Sequence, residues 1–209
     1  VDPAAGLFAA DSITRRVNRE AVLLLGGGRA LLLQVAHPLV AAGVAAHSRF
    51  EQAPLQRLLR TLQLTLTIVF GSAAEALAAV RGIERAHARV HGVLDQACGP
   101  FPRGTRYDAN DPALLLWVHA TLVDSAMVAY QRFHGPLRAA ERRAFYDESR
   151  ITARLFGIAE ADIPPTLDDF RAYLRGMLGG PQLAVSRDSR AIAAALLSPP
   201  LPPGLRQLA

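Results

Sequence analysis

Apolar residues recur along this chain at three- and four-residue intervals, glycine and proline punctuate them, and no run alternates with period two. Asp11-Ser12 can cap a first helix reaching about Leu25, where Gly26-Gly27-Gly28 is expected to stop it. A second helix is predicted from about Arg29, with Pro38 kinking or breaking it after His37. The apolar segment Leu39 to Ala46 follows and ends at His47-Ser48. Pro54 suits the first turn of a helix reaching Phe70, and after Gly71-Ser72 the pattern predicts one long helix from Ala73 to Ala97. Residues 99–110, GPFPRGTRYDAN, read as a loop. Asp111-Pro112 opens a helix to about Phe133, Gly135-Pro136 another to Phe156, and Pro164-Pro165-Thr166 precedes one to Leu178. A short helix, Ser189 to Leu197, runs into a proline-rich tail over 198–209, expected to be extended and to lie on the surface or across a neighbour. No linker and no internal repeat divides the chain. The expectation is one all-α domain over residues 1–209, of about eight helices and no significant sheet.

Composition strengthens that picture. The 209 residues include 38 Ala and 31 Leu against 8 Phe, 4 Tyr and 1 Trp, and the strong helix formers outweigh the β-branched and aromatic ones. A hydrophobic fraction of 51% excludes a disordered or collagen-like chain. All 23 basic residues are arginine, so no amine is present for a Schiff base, and every cation suits a carboxylate or phosphate. The net charge is +5, yet the arginines are scattered and cluster only as Arg15-Arg16 and Arg142-Arg143, which argues against nucleic acid as a partner. The single cysteine, Cys98, excludes an internal disulfide, a zinc ribbon and a CxxC pair. With no signal peptide visible, a cytoplasmic location is expected. The most apolar stretch considered as a span, Leu62 to Val80, is interrupted by Gln63, Ser72 and Glu75, so no transmembrane segment is expected.

The candidate chemistry is carried by histidines on apolar stretches. His87 and His91 lie four apart on the long predicted helix and would share a face, but no Glu follows the first His, so a zincin site fails. Glu84 and His87 have the spacing of a di-iron helix, without the second copy that such a site needs. Gln34 and His37 lie three apart among Leu and Val, and a polar pair there must find hydrogen bonds or a ligand. His119 follows Trp117 inside LLLWVHATL, where a satisfied core histidine is the plainer reading. Arg57 and Thr61 sit four apart with Arg60 between them, a solvated face with a Thr bonded back to its own helix in the plainer reading. Gly26-Gly27-Gly28-Arg29 lacks the GK[ST] ending of a phosphate loop, and no G-x-S-x-G elbow is present. A haem fits an apolar helical domain with several histidines and many arginines, since it needs an apolar slot, an axial His and cations near its propionates. Spacing alone does not single it out.

Several segments together resemble one family. They are LLLQVAHPLVAAGVAAHSRF (31–50), RLLRT (57–61), VFG (69–71), AHARVHG (86–92), YDANDPALLLWVHATL (107–122) and, more weakly, DIPPTLDDFRAYL (162–174). The family contains bacterial rubber oxygenase (latex-clearing protein) and the fungal isoprenoid-cleaving oxygenase of mycophenolic acid biosynthesis. The resemblance implies a helical fold, b-type haem, dioxygen and a small apolar, isoprenoid-like substrate. It also implies a haem region with an Arg, a Thr four residues on and a proximal His thirty residues after that, intervals that Arg57, Thr61 and His91 reproduce. His91 is thereby the expected iron ligand, with Arg57, Arg60, Thr61, Gln34 and His119 around the cofactor, and Arg57 and Thr61, which shape the pocket, are expected catalytic residues as well. There are two departures. A Lys able to cap the iron is replaced by Arg60, which stays protonated and cannot ligate. The family's catalytic Glu falls near Ala41. The distal site is then open, water-filled or occupied by His37 or His47, and His37 is the candidate acid/base group. Two further readings stand beside this one, a non-catalytic carrier of haem or an apolar ligand, and a cofactor-free interaction domain. A homodimer is compatible with the Leu-rich faces.

Overall fold

A computed structural model describes residues 5–47 and 54–198, with the side chains of 54–58 left out. The described chain forms α1 (Ile13–Asn18), α2 (Leu23–Val35), α3 (Pro38–His47), α4 (Pro54–Phe70), α5 (Ala73–His87), β1 (His91–Val93), β2 (Arg106–Asp108), α6 (Pro112–Phe133), α7 (Ala139–Leu155), α8 (Leu167–Gly179) and α9 (Arg187–Leu197). The all-α expectation holds, with one two-stranded antiparallel ribbon added. The tail beyond Ser198 lies outside the described residues.

Most helices start where short polar side chains can accept the first free amides. Ser12 accepts from Arg15 N–H, Ser72 and Glu75 form a reciprocal capping box, Asp111 accepts from Ala113 N–H ahead of Pro112, and Thr166 accepts from Asp169 N–H. The first predicted helix is divided into α1 and α2. Asn18 bonds its side chain back to Thr14 C=O, and the chain tightens through Glu20 N–H to Val17 C=O and Leu23 N–H to Glu20 C=O. The split lets α1 pack on α7 while α2 packs on α6.

Gly26-Gly27-Gly28 does not stop a helix; α2 runs straight through it. The reason is close approach to α6. A Cβ at Gly26 would stand 3.0 Å from the carbonyl oxygen of Ser125 and 3.2 Å from the Ala129 methyl. Three glycines inside a helix cost about 1 kcal/mol each relative to Ala, and the α2–α6 contact offsets that. At Ala36–His37 the chain turns through 108°, and Pro38 opens α3 with its ring fully buried.

The helix predicted over 73–97 ends at His87. Val90, Gly92 and Val93 are poor helix formers, and the segment gains cross-strand bonds instead: Ala109 N–H to Val90 C=O (2.9 Å) and Leu94 N–H to Thr105 C=O (2.9 Å). The ribbon pairs His91 with Asp108, Gly92 with Tyr107 and Val93 with Arg106. Part of the expected 99–110 loop is therefore strand.

The core centres on α6. Trp117, Ala120, Val123, Met127 and Tyr130 pack against Val17, Phe145, Tyr146, Phe170 and Leu174. Val40 of α3 touches this cluster, the α2–α3–α9 cluster and the cluster beneath the ribbon, joining the three. By length and composition α6 is apolar enough to cross a membrane. Its role as the central core helix accounts for that composition.

Candidate functional site

His37 stands at the α2–α3 corner. Its backbone carbonyl accepts from Ala41 N–H at 3.0 Å, which starts α3, and its own N–H donates to Gln34 C=O. The side chain is 5% exposed, with the ring centroid 5.2 Å from that of Phe101 and tilted by 44°. Its Nδ1 is sealed from solvent and has no hydrogen-bond partner. Burial pushes its pKa down to about 4, opposed by the nearby charge of Asp111. At neutral pH it is an uncharged imidazole. Gln34 has found a protein partner: its Nε2 donates to Thr121 Oγ1 at 3.1 Å, and that hydroxyl donates to Val118 C=O. Of the polar pair singled out in the sequence, one member is satisfied and the other is not.

His91 begins β1 with its side chain exposed. It does not share a helix face with His87, because α5 ends at His87 and the chain turns before the strand. The His91 backbone carbonyl lies 3.2 Å from Nε2 of His47, the last residue of α3. That nitrogen is also 3.5 Å from the Tyr107 hydroxyl, and the two rings meet edge to face. Tyr107 is buried, and burial raises its pKa.

Arg60 and Thr61 are exposed on α4, one turn after the backbone of Arg57, whose side chain lies outside the described residues. The Thr61 carbonyl accepts from Thr65 Oγ1 at 2.9 Å. The principal packing partners of α4 are α5, α1, α2 and α9, whereas the ribbon packs beneath α3. The described contacts therefore gather His37, His47 and His91 around α3, and leave Arg60 and Thr61 on a different layer.

His119 sits on α6, half-buried, with its Nε2 sealed and without a partner. Burial pushes its pKa down to about 4. Among the described residues, no group of three or more His, Cys, Asp or Glu side chains is placed to hold a bare metal ion. An open groove of about 550 Å³ lies between the N-terminal segment and α7, lined by Phe8, Ile13, Arg16, Glu141, Glu148 and others, and none of the predicted site residues borders it. Sequence reasoning missed Phe101 and Tyr107, the aromatic partners of His37 and His47. The available clue was two aromatic rings inside a segment otherwise composed of Gly, Pro, polar residues and one Ala.

Compared with protein families, residues 14–209 match the family described as ER-bound oxygenase mpaB/B'/Rubber oxygenase, catalytic domain. The chain belongs to this family. No curated protein and no solved structure matches it. Membership in the mpaB/rubber oxygenase family makes oxygenase the activity class of this chain, with dioxygen and an organic substrate as reactants. Within the matched region lie both departures noted in the sequence. Ala41, where the catalytic Glu was expected, is fully buried against Leu31, Val35 and Ile192. Arg60 stands where a Lys was expected from the resemblance.

Proposed function

We propose that this protein is a haem b-dependent oxygenase of a small apolar substrate, with an isoprenoid alkene as the favoured class. The observation that carries the reading is the family match over 14–209, an oxygenase catalytic domain in which Arg57, Thr61 and His91 keep the haem-region intervals. The residue types that a haem asks for are present, the imidazole on the ribbon and the cations on α4, two elements that do not pack directly on each other among the principal contacts. A porphyrin supplies four of the iron's ligands and asks the protein for one imidazole, so the lack of a three-residue metal cluster among the described residues is no obstacle. His91 offers an exposed imidazole for that position. Arg57 and Arg60, one turn apart on α4, are the cations suited to the propionates, and Thr61 stands beside them. His119 is a pocket or outer residue rather than a ligand, and Gln34 contributes by tying α2 to α6 through Thr121.

Bound haem supplies the dioxygen chemistry. The chain's own part is to orient the substrate, exclude water and hold a proton where one is needed. A carboxylate cannot do the last near Ala41, which is an apolar, fully buried position. His37 lies one helical turn before it and keeps an uncommitted Nδ1. Leaving such an atom unpaired costs about 1–3 kcal/mol, so a polar group that bonds His37 Nδ1 is favoured by about that much. At neutral pH that nitrogen can accept or share a proton and carries no positive charge.

The test is the absorption spectrum of protein expressed with haem supplementation. A Soret band is expected in the parent and lost in His91→Ala. Normal, saturable haem binding by His91→Ala would remove His91 as the ligand, and no Soret band after adding haemin would end the haem reading. A second reading, a non-catalytic haem or apolar-ligand carrier, is favoured by the apolar burial of Ala41 and by Arg60. Substrate-dependent oxygen uptake separates the two, since a carrier shows none.

A further inference from the structure

The hydrogen-bond alternation of the ribbon leaves the His91 carbonyl outside the ladder. In an antiparallel pair, bonded and non-bonded residue pairs alternate. Val90 accepts from Ala109 and Leu94 donates to Thr105, so the pair 91–108 between them is of the non-bonded type. The His91 C=O therefore turns away from β2, toward α3. There it meets Nε2 of His47 at 3.2 Å.

One ring nitrogen presents either a proton or a lone pair, so the two groups near His47 Nε2 compete for it. A backbone carbonyl only accepts. A hydrogen bond at the 3.2 Å contact requires Nε2 to carry the proton, and the Tyr107 hydroxyl, at 3.5 Å, cannot then donate to it. His47 is exposed, and beside it α3 and the ribbon pack closely. A Cβ at Gly43 would meet Val90 Cγ1 at 3.2 Å, and a Cβ at Gly92 would lie 2.6 Å from the Tyr107 hydroxyl oxygen. Both glycines thus admit close packing, of α3 on the ribbon and of the Tyr107 phenol over its cross-strand partner.

We infer that His47 is a positioning residue: its Nε2–H anchors the His91 carbonyl, and with the Gly43–Tyr107–Gly92 packing it fixes the strand that carries the His91 imidazole. The consequence for the cofactor rests on the reading of His91 as the iron ligand. The anchor itself does not.

The haem-free protein tests the anchor. Imidazole nitrogen NMR should find His47 as the Nε2–H tautomer in the parent. In His47→Leu the Ala109 and Leu94 amides should exchange about 2- to 10-fold faster, the range that corresponds to the net worth of one neutral hydrogen bond. His47→Gln, whose amide N–H reaches about as far, should restore protection, and Tyr107→Phe should leave the tautomer unchanged. An Nδ1–H tautomer, unchanged exchange in His47→Leu, or failure of His47→Gln to restore it would overturn the anchor. With haem loaded, His47→Leu should shift the midpoint potential and broaden the Soret band, and His47→Gln should return both to parent values. An unshifted potential in His47→Leu overturns the positioning role. A parent with no Soret band instead overturns the haem reading, while the haem-free measurements still decide the anchor.

Discussion

The α2–α6 interface pairs the polar groups that cross it, whereas the α3–ribbon corner leaves one of its own unpaired. Along α2–α6, Arg29 reaches Asp124 and Ser125, both at 2.7 Å, and Gln34 reaches Thr121. Those side chains spend their donors inside the protein. At the corner, His37 keeps a buried, unpaired nitrogen and His91 keeps an exposed ring, while a third histidine is committed to backbone. Buried polar atoms in native proteins are nearly all bonded, and His37 Nδ1 is one of the exceptions, with Trp117 Nε1 and His119 Nε2 on α6. The α2–α6 side chains tie helices together, whereas His37 Nδ1 stays uncommitted beside the ribbon.

The largest effect expected belongs to the paired region. Trp117 is fully buried at the centre of the main cluster on α6. Trp117→Ala should lower stability by about 3–5 kcal/mol, read by urea unfolding. A loss under 1 kcal/mol would show that the α6 core is not the organising element that the packing describes.

The next effect belongs to the unpaired histidines. His37 and His119 both have pKa values lowered to about 4 by burial, against 6.5 in an unfolded chain. The unfolded state then binds more protons between those values, so stability is lost as pH falls from about 6.5 toward 4 and is unaffected above that window. The fuller burial of the His37 side chain makes it the cleaner case, with about 2–3 kcal/mol expected across the window. His37→Phe should flatten its share of the slope at little cost to stability at pH 7, because an apolar ring removes an unsatisfied atom. An unchanged slope in His37→Phe would mean that Nδ1 is solvated or paired in solution. The same variant should lose oxygenase turnover while keeping the Soret band if His37 handles a proton.

Much of this division was legible in the sequence, for reasons that differ by residue. Asp111-Pro112 and Ser72 mark helix starts by local chemistry, and the structure uses both. Pro38 marks the corner for the same reason. Gln34 and His37 were rightly singled out as polar residues needing partners, but which of them would find one depends on Thr121, 87 positions away from Gln34. The end of α5 at His87 was missed because Val90–Val93 form a strand only when residues 105–109 arrive to pair with them. Helical spacing between His87 and His91 was real in the sequence and absent in space. Long-range pairing overrode local periodicity there, and it did so at the residue on which the haem reading depends most.

The smallest effect sharpens the same lesson inside the paired region. Gly26-Gly27-Gly28 looks like a stop, and local propensity says that any of the three would be better as Ala by about 1 kcal/mol. The structure makes the positions unequal. A Cβ at Gly28 meets nothing within 4 Å, whereas at Gly26 it presses on the Ser125 carbonyl, which belongs to a packed helix backbone and cannot swing aside. Gly28→Ala should therefore raise stability by up to about 1 kcal/mol, and Gly26→Ala should lower it by about 1–2 kcal/mol. Thermal or urea unfolding of the two single variants reads opposite signs from the same chemical change. Equal stabilisation by both would mean that α2 and α6 are farther apart than described, and would leave the glycine run as the helix terminator that the sequence alone suggests.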